Sequence, residues 1–254
     1  MWLAKSAAGH LAAFKVLTAD GRARPDQVIR FEAEGRLLAR LGGSHHLVTG
    51  KPVPIAGSTD PGPIALDLAD ESLADRIEPR PLPWRLAVLV IRQVLDATAW
   101  LHANGVIHRD IKPSNVLMME DGTVRLADLG VAAHGDPPRG LPDDWIEEEI
   151  GTLGYAAPEL LAVPATATPA VDIYSVGVTL FEAVSRRLPH PMLDGETEAE
   201  HRVRLADGPA PLSLGALGLD LPAALVEVTA RALAPDPAER FPSAAAMAAS
   251  LPTA

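Results

Sequence analysis

The spacing of apolar and polar positions divides this chain into two unequal parts. Residues 2–5 and 11–17 are short apolar runs on either side of a turn at Gly9, which predicts two strands. Over residues 26–41, Phe31, Glu34, Leu38 and Leu41 recur at steps of three and four and share one helix face. Asp26 is placed to cap that helix and Gly42-Gly43 to end it. Residues 52–56 and 63–69 predict two more strands, and Glu71-Ser72 opens a short helix.

Beyond this point the pattern becomes mainly helical. A long amphipathic helix is predicted from Pro83 to Ala103, with proline suited to its first turn and Asn104-Gly105 to its C-terminal cap. Short strands are expected at 106–107, 115–118 and 123–127, the last two joined by the hairpin turn signal Asp121-Gly122. Residues 131–150 read as loop, and 171–184 are apolar nearly all round, as a helix in the middle of a domain would be. The remainder is helical with proline-rich breaks and ends in a helix over 243–251. The expected class is α+β. One domain spans 1–254, with a small β-rich part over 1–69, a larger helical part over 70–254, and a junction near Asp67–Ala69.

Composition removes several kinds of chemistry. Of 254 residues, 48% are hydrophobic and only 4% aromatic, so a large core of Leu, Val, Ile and Ala is available. The net charge of -11 argues against nucleic acid or an anionic membrane as the main partner. With no cysteine, disulfides, thiolate zinc sites and Cys nucleophiles are excluded. No uninterrupted apolar run reaches the ~18 residues of a membrane span, and the first residues lack a signal-peptide pattern. The expected location is the cytoplasm, and oligomeric state is unknown.

The candidate chemistry is concentrated in His108-Arg109-Asp110-Ile111-Lys112-Pro113-Ser114-Asn115. A carboxylate, an ammonium and an amide stand there at fixed offsets. Asp110 can accept a proton from a hydroxyl, Lys112 can neutralise a transferring phosphoryl group, and Asn115 can offer an oxygen to a hard cation. Thirteen residues past Asn115 comes Asp128-Leu129-Gly130, and later Ala157-Pro158-Glu159. This order and spacing resembles the eukaryotic-type serine/threonine protein kinases, of the kind also found in bacteria.

The resemblance implies a bilobal fold, ATP and Mg²⁺ as cofactors, and protein substrates. It implies that Lys15 holds the α- and β-phosphates and that Glu34, nineteen positions on, orients it. It places adenine against the backbone of Asp67 and Ala69, with Leu66 as a wall. Asp110 would orient the acceptor hydroxyl, Lys112 would attend the phosphoryl group, and Asn115 and Asp128 would be the metal ligands. His108 is implied to be a packing and hydrogen-bonding residue of the core with no catalytic part. Thr152 is implied to bond to the catalytic loop and, with Lys112, to indicate Ser/Thr acceptors. Glu159 is expected to pair with Arg240, and Asp172 to accept N–H bonds from the catalytic loop.

Three departures stand out. Leu129 replaces the usual Phe, an apolar exchange expected to have a small effect. Between Gly130 and Gly151 there is no Ser, Thr or Tyr, but there are Asp143-Asp144 and Glu147-Glu148-Glu149. That acidic run either substitutes for a phosphate by pairing with Arg109 or is a solvated loop. The family's Gly-rich phosphate loop and first strand are missing, and Met1 stands where the valine after that loop would be. Loss of a segment, through shortening or a late start, is expected in preference to a protein that never had it. The alternative reading on that departure is a pseudokinase acting as an interaction module; a small-molecule phosphotransferase ranks last, because such enzymes lack the Ala157-Pro158-Glu159 segment.

Overall fold

Four strands form a sheet at the start of the chain. In the computed structural model, which describes residues 1–5, 11–41, 44–55, 57, 61–130, 132–134, 151–162 and 165–253, β1 (Trp2–Lys5) pairs antiparallel with β2 (Leu11–Lys15). β2 pairs with β4 (Ile64–Leu66), which pairs with β3 (Gly50–Pro52), giving the order β1-β2-β4-β3. β3 lies two residues earlier than the expected 52–56 and shares only Pro52 with it, and β4 is shorter than the expected 63–69. Pro54 has no N–H to donate, so the ladder stops after the Val53 N–H bond to Pro63 O.

A short helix missed in the sequence, α1 (Ala19–Arg22), precedes α2 (Pro25–Arg40). Thr18 caps α1 through its hydroxyl, which accepts from Gly21 N at 3.1 Å. Asp26 does not cap α2. Pro25 takes the first helical position and leaves Asp26 in the first turn, where its charge complements the helix dipole. The expected apolar face holds, with Phe31, Glu34 and Leu38 buried on α2 and Leu41 buried at its end. The proposed turn at Gly9 and stop at Gly42-Gly43 lie outside the described residues.

The second part is helical around two small sheets. β5 (Glu71–Ser72) leads into α3 (Leu73–Ile77), whose start is a capping box between Ser72 and Asp75. Next come α4 (Trp84–Ala103), β6 (Val106–Ile107), a 3-10 turn over Pro113–Asn115, β7 (Val116–Met118), β8 (Val124–Leu126) and β9 (Ala133–His134). β5-β7-β8 form one sheet, and β6-β9 the other. The hairpin between β7 and β8 turns at Gly122, which has φ of 80°, as its sequence predicts. Helices α5 (Pro158–Leu161), α6 (Pro169–Ser185), α7 (Glu198–Ala206), α8 (Ala223–Ala232) and α9 (Ala244–Ser250) complete the described chain.

Burial explains why α6 has almost no polar face. Every residue from Val171 to Val184 except Glu182 is buried, against α4 on one side and α8 on the other. α4 is long and apolar enough by length and composition to cross a bilayer, but nine of its residues form the interior of this lobe. Segment 46–48 straps the first lobe to the second. Val48 N donates to Leu126 O, and Leu126 N to His46 O, both at 2.9 Å. The result is a bilobal α+β fold with a small antiparallel sheet and a larger helical lobe.

Candidate active site

Between the lobes, one ammonium is held by two carboxylates from different elements. β2 carries Lys15 on the strand next to the central β4, and α2 turns Glu34 inward toward it. Lys15 Nζ donates to both Glu34 oxygens, at 2.8 and 2.7 Å, and to Asp128 Oδ1 at 2.8 Å. Burial alone lowers the Lys15 pKa, but the two carboxylates outweigh it and raise it. Burial raises Glu34 more than Lys15 lowers it. For Asp128 burial acts upward too, but Lys15 outweighs it and the carboxyl is held below the ordinary range. Asp128 has φ of 68°, a left-handed conformation uncommon outside glycine and typical of functional strain.

Asp172, buried near the start of α6, shapes the loop that follows β6. Its Oδ1 accepts from Arg109 N at 2.8 Å, and its Oδ2 from His108 N at 2.9 Å. His102 Nε2 lies 2.8 Å from the same Oδ2. These bonds hold Arg109 at φ of 65°. His108 spans the loop: Nδ1 accepts from Asp110 N at 3.3 Å, so Nε2 carries the proton that goes to Ala127 O at 3.0 Å. His108 thus ties the Asp110 loop to the strand end bearing Asp128. Its burial and these bonds are the packing and hydrogen-bonding role expected for it.

The Asp110 carboxylate is surrounded by donors. Oδ1 accepts from Thr152 N at 2.8 Å and from Thr152 Oγ1 at 2.9 Å. Oδ2 is 2.7 Å from Lys112 Nζ and accepts from Asn115 Nδ2 at 3.0 Å. Lys112 Nζ also reaches Thr152 Oγ1 at 2.5 Å. Such contacts hold the carboxylate in one orientation. Asn115 uses its amide N–H on Asp110 O at 2.8 Å and on Asp110 Oδ2, so its Oδ1 is the atom left for a cation.

Gly151 makes the Thr152 contact possible. A Cβ at that position would sit 2.4 Å from Arg109 O and 3.2 Å from Asp110 Oδ1. The sequence held Gly151 but carried no sign of this close approach. At the junction of the lobes, Asp67 N donates to Thr49 O at 3.2 Å, so its carbonyl is the main-chain group left for a base edge. The Asp67 side chain is engaged as well, by Thr49 and Arg125. Ala69 follows two residues later in the same connection. Of the proposed site residues, Lys15, Glu34 and Asp128 are joined directly, as are Asp110, Lys112 and Asn115, and His108 bridges the two groups.

Comparison with known proteins matches residues 3–249 to the protein kinase domain. The chain belongs to the protein kinase family. It is 32% identical over 251 residues to the serine/threonine-protein kinase pkn2 of Myxococcus xanthus, covering 97% of this chain and 29% of that protein. It is 33% identical over 234 residues to the serine/threonine-protein kinase PknK of Mycobacterium tuberculosis, covering 92% of this chain and 20% of that one. Against the serine/threonine-protein kinase PknL of Mycobacterium bovis the identity is 32% over 246 residues, 94% of this chain and 58% of the relative. The chain therefore spans less than two thirds of each of these relatives.

Two further features of the kinase domain match their expected places. Arg240 NH1 and NH2 bond the two Glu159 oxygens at 2.6 and 2.9 Å, and three main-chain carbonyls take its remaining donors. Leu129 is buried in the core, so the smaller side chain still packs. Tyr155, three residues past Thr152, donates to Glu182 Oε2 at 2.5 Å beside a cavity of about 510 Å³ next to Lys112. The acidic run at 143–149, and the pairing with Arg109 suggested for it, lie outside the described residues.

Proposed function

We propose that this kinase domain transfers the γ-phosphoryl group of ATP to serine and threonine hydroxyls of proteins. The observation that carries the reading is the Asp110 carboxylate, held by Thr152, Lys112 and Asn115 and coupled through His108 to the element bearing Asp128. Its relatives named serine/threonine-protein kinases support the acceptor class. In this reading Lys15, aimed by Glu34, meets the α- and β-phosphates. The Asp67 carbonyl and the Ala69 main chain meet the adenine edge.

Asp110 orients the acceptor hydroxyl and takes its proton as the new oxygen–phosphorus bond forms and the bond to the leaving ADP oxygen breaks. Lys112 balances charge on the moving phosphoryl group. Asn115 Oδ1 and Asp128 Oδ2 are hard oxygen atoms with no hydrogen-bond partner among the described residues, a donor pair suited to Mg²⁺, which takes one or two protein ligands and completes its shell with phosphate and water. Mg²⁺ would supply charge neutralisation across the phosphates. The reading takes residues 1–254 as one catalytic domain acting in the cytoplasm on protein substrates, with neither nucleic acid nor membrane as partner.

The test is incubation with Mg²⁺, γ-labelled ATP and a generic acceptor protein, followed by identification of the labelled amino acid. Label on serine or threonine, abolished by Asp110→Ala, is expected. Label equal in both proteins, or none in the wild type, would refute the assignment.

A further inference from the structure

Asp67 stands where the first sheet gives way to the helical lobe, and its side chain is anchored from both sides. Oδ2 accepts from Thr49 N at 2.8 Å, and both oxygens lie 2.9 Å from Thr49 Oγ1. The Arg125 guanidinium, on β8, donates to the same Oδ2. Thr49 ends the strap that runs along β8, where Leu47 bridges Leu126 and the His46 ring meets Val124 O at 3.1 Å. Three segments, 46–49, 67 and 124–126, thus converge on one carboxylate.

An ordinary surface ion pair does not account for this arrangement. Arg125 is three-quarters buried, with 25% of its side chain exposed, and its Nε is buried without a hydrogen-bond partner among the described residues. Buried donors are seldom left so. A rotamer turned to solvent would satisfy that nitrogen, so the contact with Asp67 holds the side chain in. Asp121, in the β7–β8 hairpin, is a second carboxylate whose charge couples to Arg125.

The consequence falls on the peptide that follows. The Asp67 N–H is committed to Thr49 O, and its carboxylate is committed to both lobes. That anchors the connection on its first side, and three residues on Asp70 N donates to Met118 O at 3.0 Å, so the short run of backbone that carries the Asp67 carbonyl is held at both ends. A carbonyl so aimed accepts from an exocyclic amine, as on adenine, and repels a carbonyl oxygen at the same place, as on guanine. We infer that Arg125 is a positioning residue for the nucleotide. Through the Asp67 carboxylate it fixes the connecting peptide that meets the base, and so sets affinity for ATP and preference over GTP. This rests on the phosphoryl-transfer reading above.

The experiment compares Arg125→Gln, Arg125→Lys, Asp67→Asn and the Asp67→Asn/Arg125→Gln double variant in steady-state transfer with Mg–ATP and Mg–GTP. Loss of one charge-assisted bond should raise KM for ATP about tenfold in Arg125→Gln and change kcat by less than about twofold. The preference for ATP over GTP should narrow, Arg125→Lys should restore most of it, and the double variant should be no worse than the worse single one. A KM for ATP and a base preference unchanged in Arg125→Gln, with only a lower Tm, would overturn the proposal, as would fully additive effects in the double variant. If the wild type binds Mg–ATP but transfers nothing, the transfer reading fails, and the same criteria apply to the dissociation constants. A wild type that binds neither nucleotide overturns both.

Discussion

Glu34 holds Lys15 with both carboxylate oxygens, at 2.8 and 2.7 Å, from a helix nineteen residues further along the chain. The pair is partly buried, and burial drives the Glu34 carboxyl upward in pKa. Glu34→Gln removes a charge that the interior disfavours but keeps the shape. Its cost to the fold should be small, within about 1 kcal/mol in chemical unfolding. Its cost to catalysis should be larger, a fall in kcat/KM for ATP of about tenfold or more, since a neutral amide no longer aims the ammonium. A large stability loss with kcat/KM preserved would contradict the role given to the pair.

Arg240 and Glu159 form a different kind of pair. Arg240 is wholly buried and spends its donors on Glu159 and on Ala170, Ala234 and Pro235 carbonyls. Arg240→Ala leaves a part-buried carboxylate and three carbonyls without their donor, and should destabilise the protein by about 3–5 kcal/mol in urea unfolding. The effect is structural, so any molecules remaining folded should keep the wild-type KM for ATP.

Gly151 tests how closely the segment before α5 must lie on the catalytic loop. Gly151→Ala puts a methyl group against Arg109 O, so the backbone must retreat and draw Thr152 from Asp110. The expected result is a fall in kcat of about tenfold or more with a change in Tm of only a few degrees. An unchanged kcat would show that the Thr152 contact does not position the carboxylate.

His190 gives a pH dependence of definite sign. Burial first, then the charges of Arg204 and His201, lower its pKa from 6.5 to about 4. In the unfolded chain it takes a proton near pH 6.5, while in the fold it stays neutral to about pH 4. The unfolded state therefore binds more protons between these values. Stability should be full above pH 6.5 and fall as pH drops toward 4. The contribution is about 2 kcal/mol, allowing for partial solvation. His190→Gln should flatten that part of the stability profile, and a profile identical to wild type would contradict the assignment.

How much was legible depended on whether the constraint was local. The stretch from His108 to Asn115 could be read because the chemistry demands particular side chains at fixed offsets. α6 was legible from its continuous apolar run, and the β7–β8 turn from Asp121-Gly122. The start of α2 was misread because Pro25, one residue earlier, competed with Asp26 for the helix start. β3 was placed two residues too late because apolar residues flank Pro54, which cannot extend the ladder, and β4 was drawn too long because Leu68 and Ala69 continue its apolar run beyond the sheet. The Asp67 clip and the Gly151 approach were invisible for another reason. Arg125 is 58 positions from Asp67, and Gly151 is 42 from Arg109, so only the fold brings them together.

The most direct test measures equilibrium binding of Mg–ATP and the rate of transfer to an acceptor protein on the same three proteins: wild type, Asp110→Asn and Asp128→Asn. Asp110→Asn should bind Mg–ATP within about twofold of wild type yet transfer at least about a hundredfold more slowly, because in the proposed mechanism Asp110 acts on the hydroxyl. Asp128→Asn should lose both, since in the proposed mechanism Asp128 meets the nucleotide's metal. Transfer by Asp110→Asn at the wild-type rate would contradict the account.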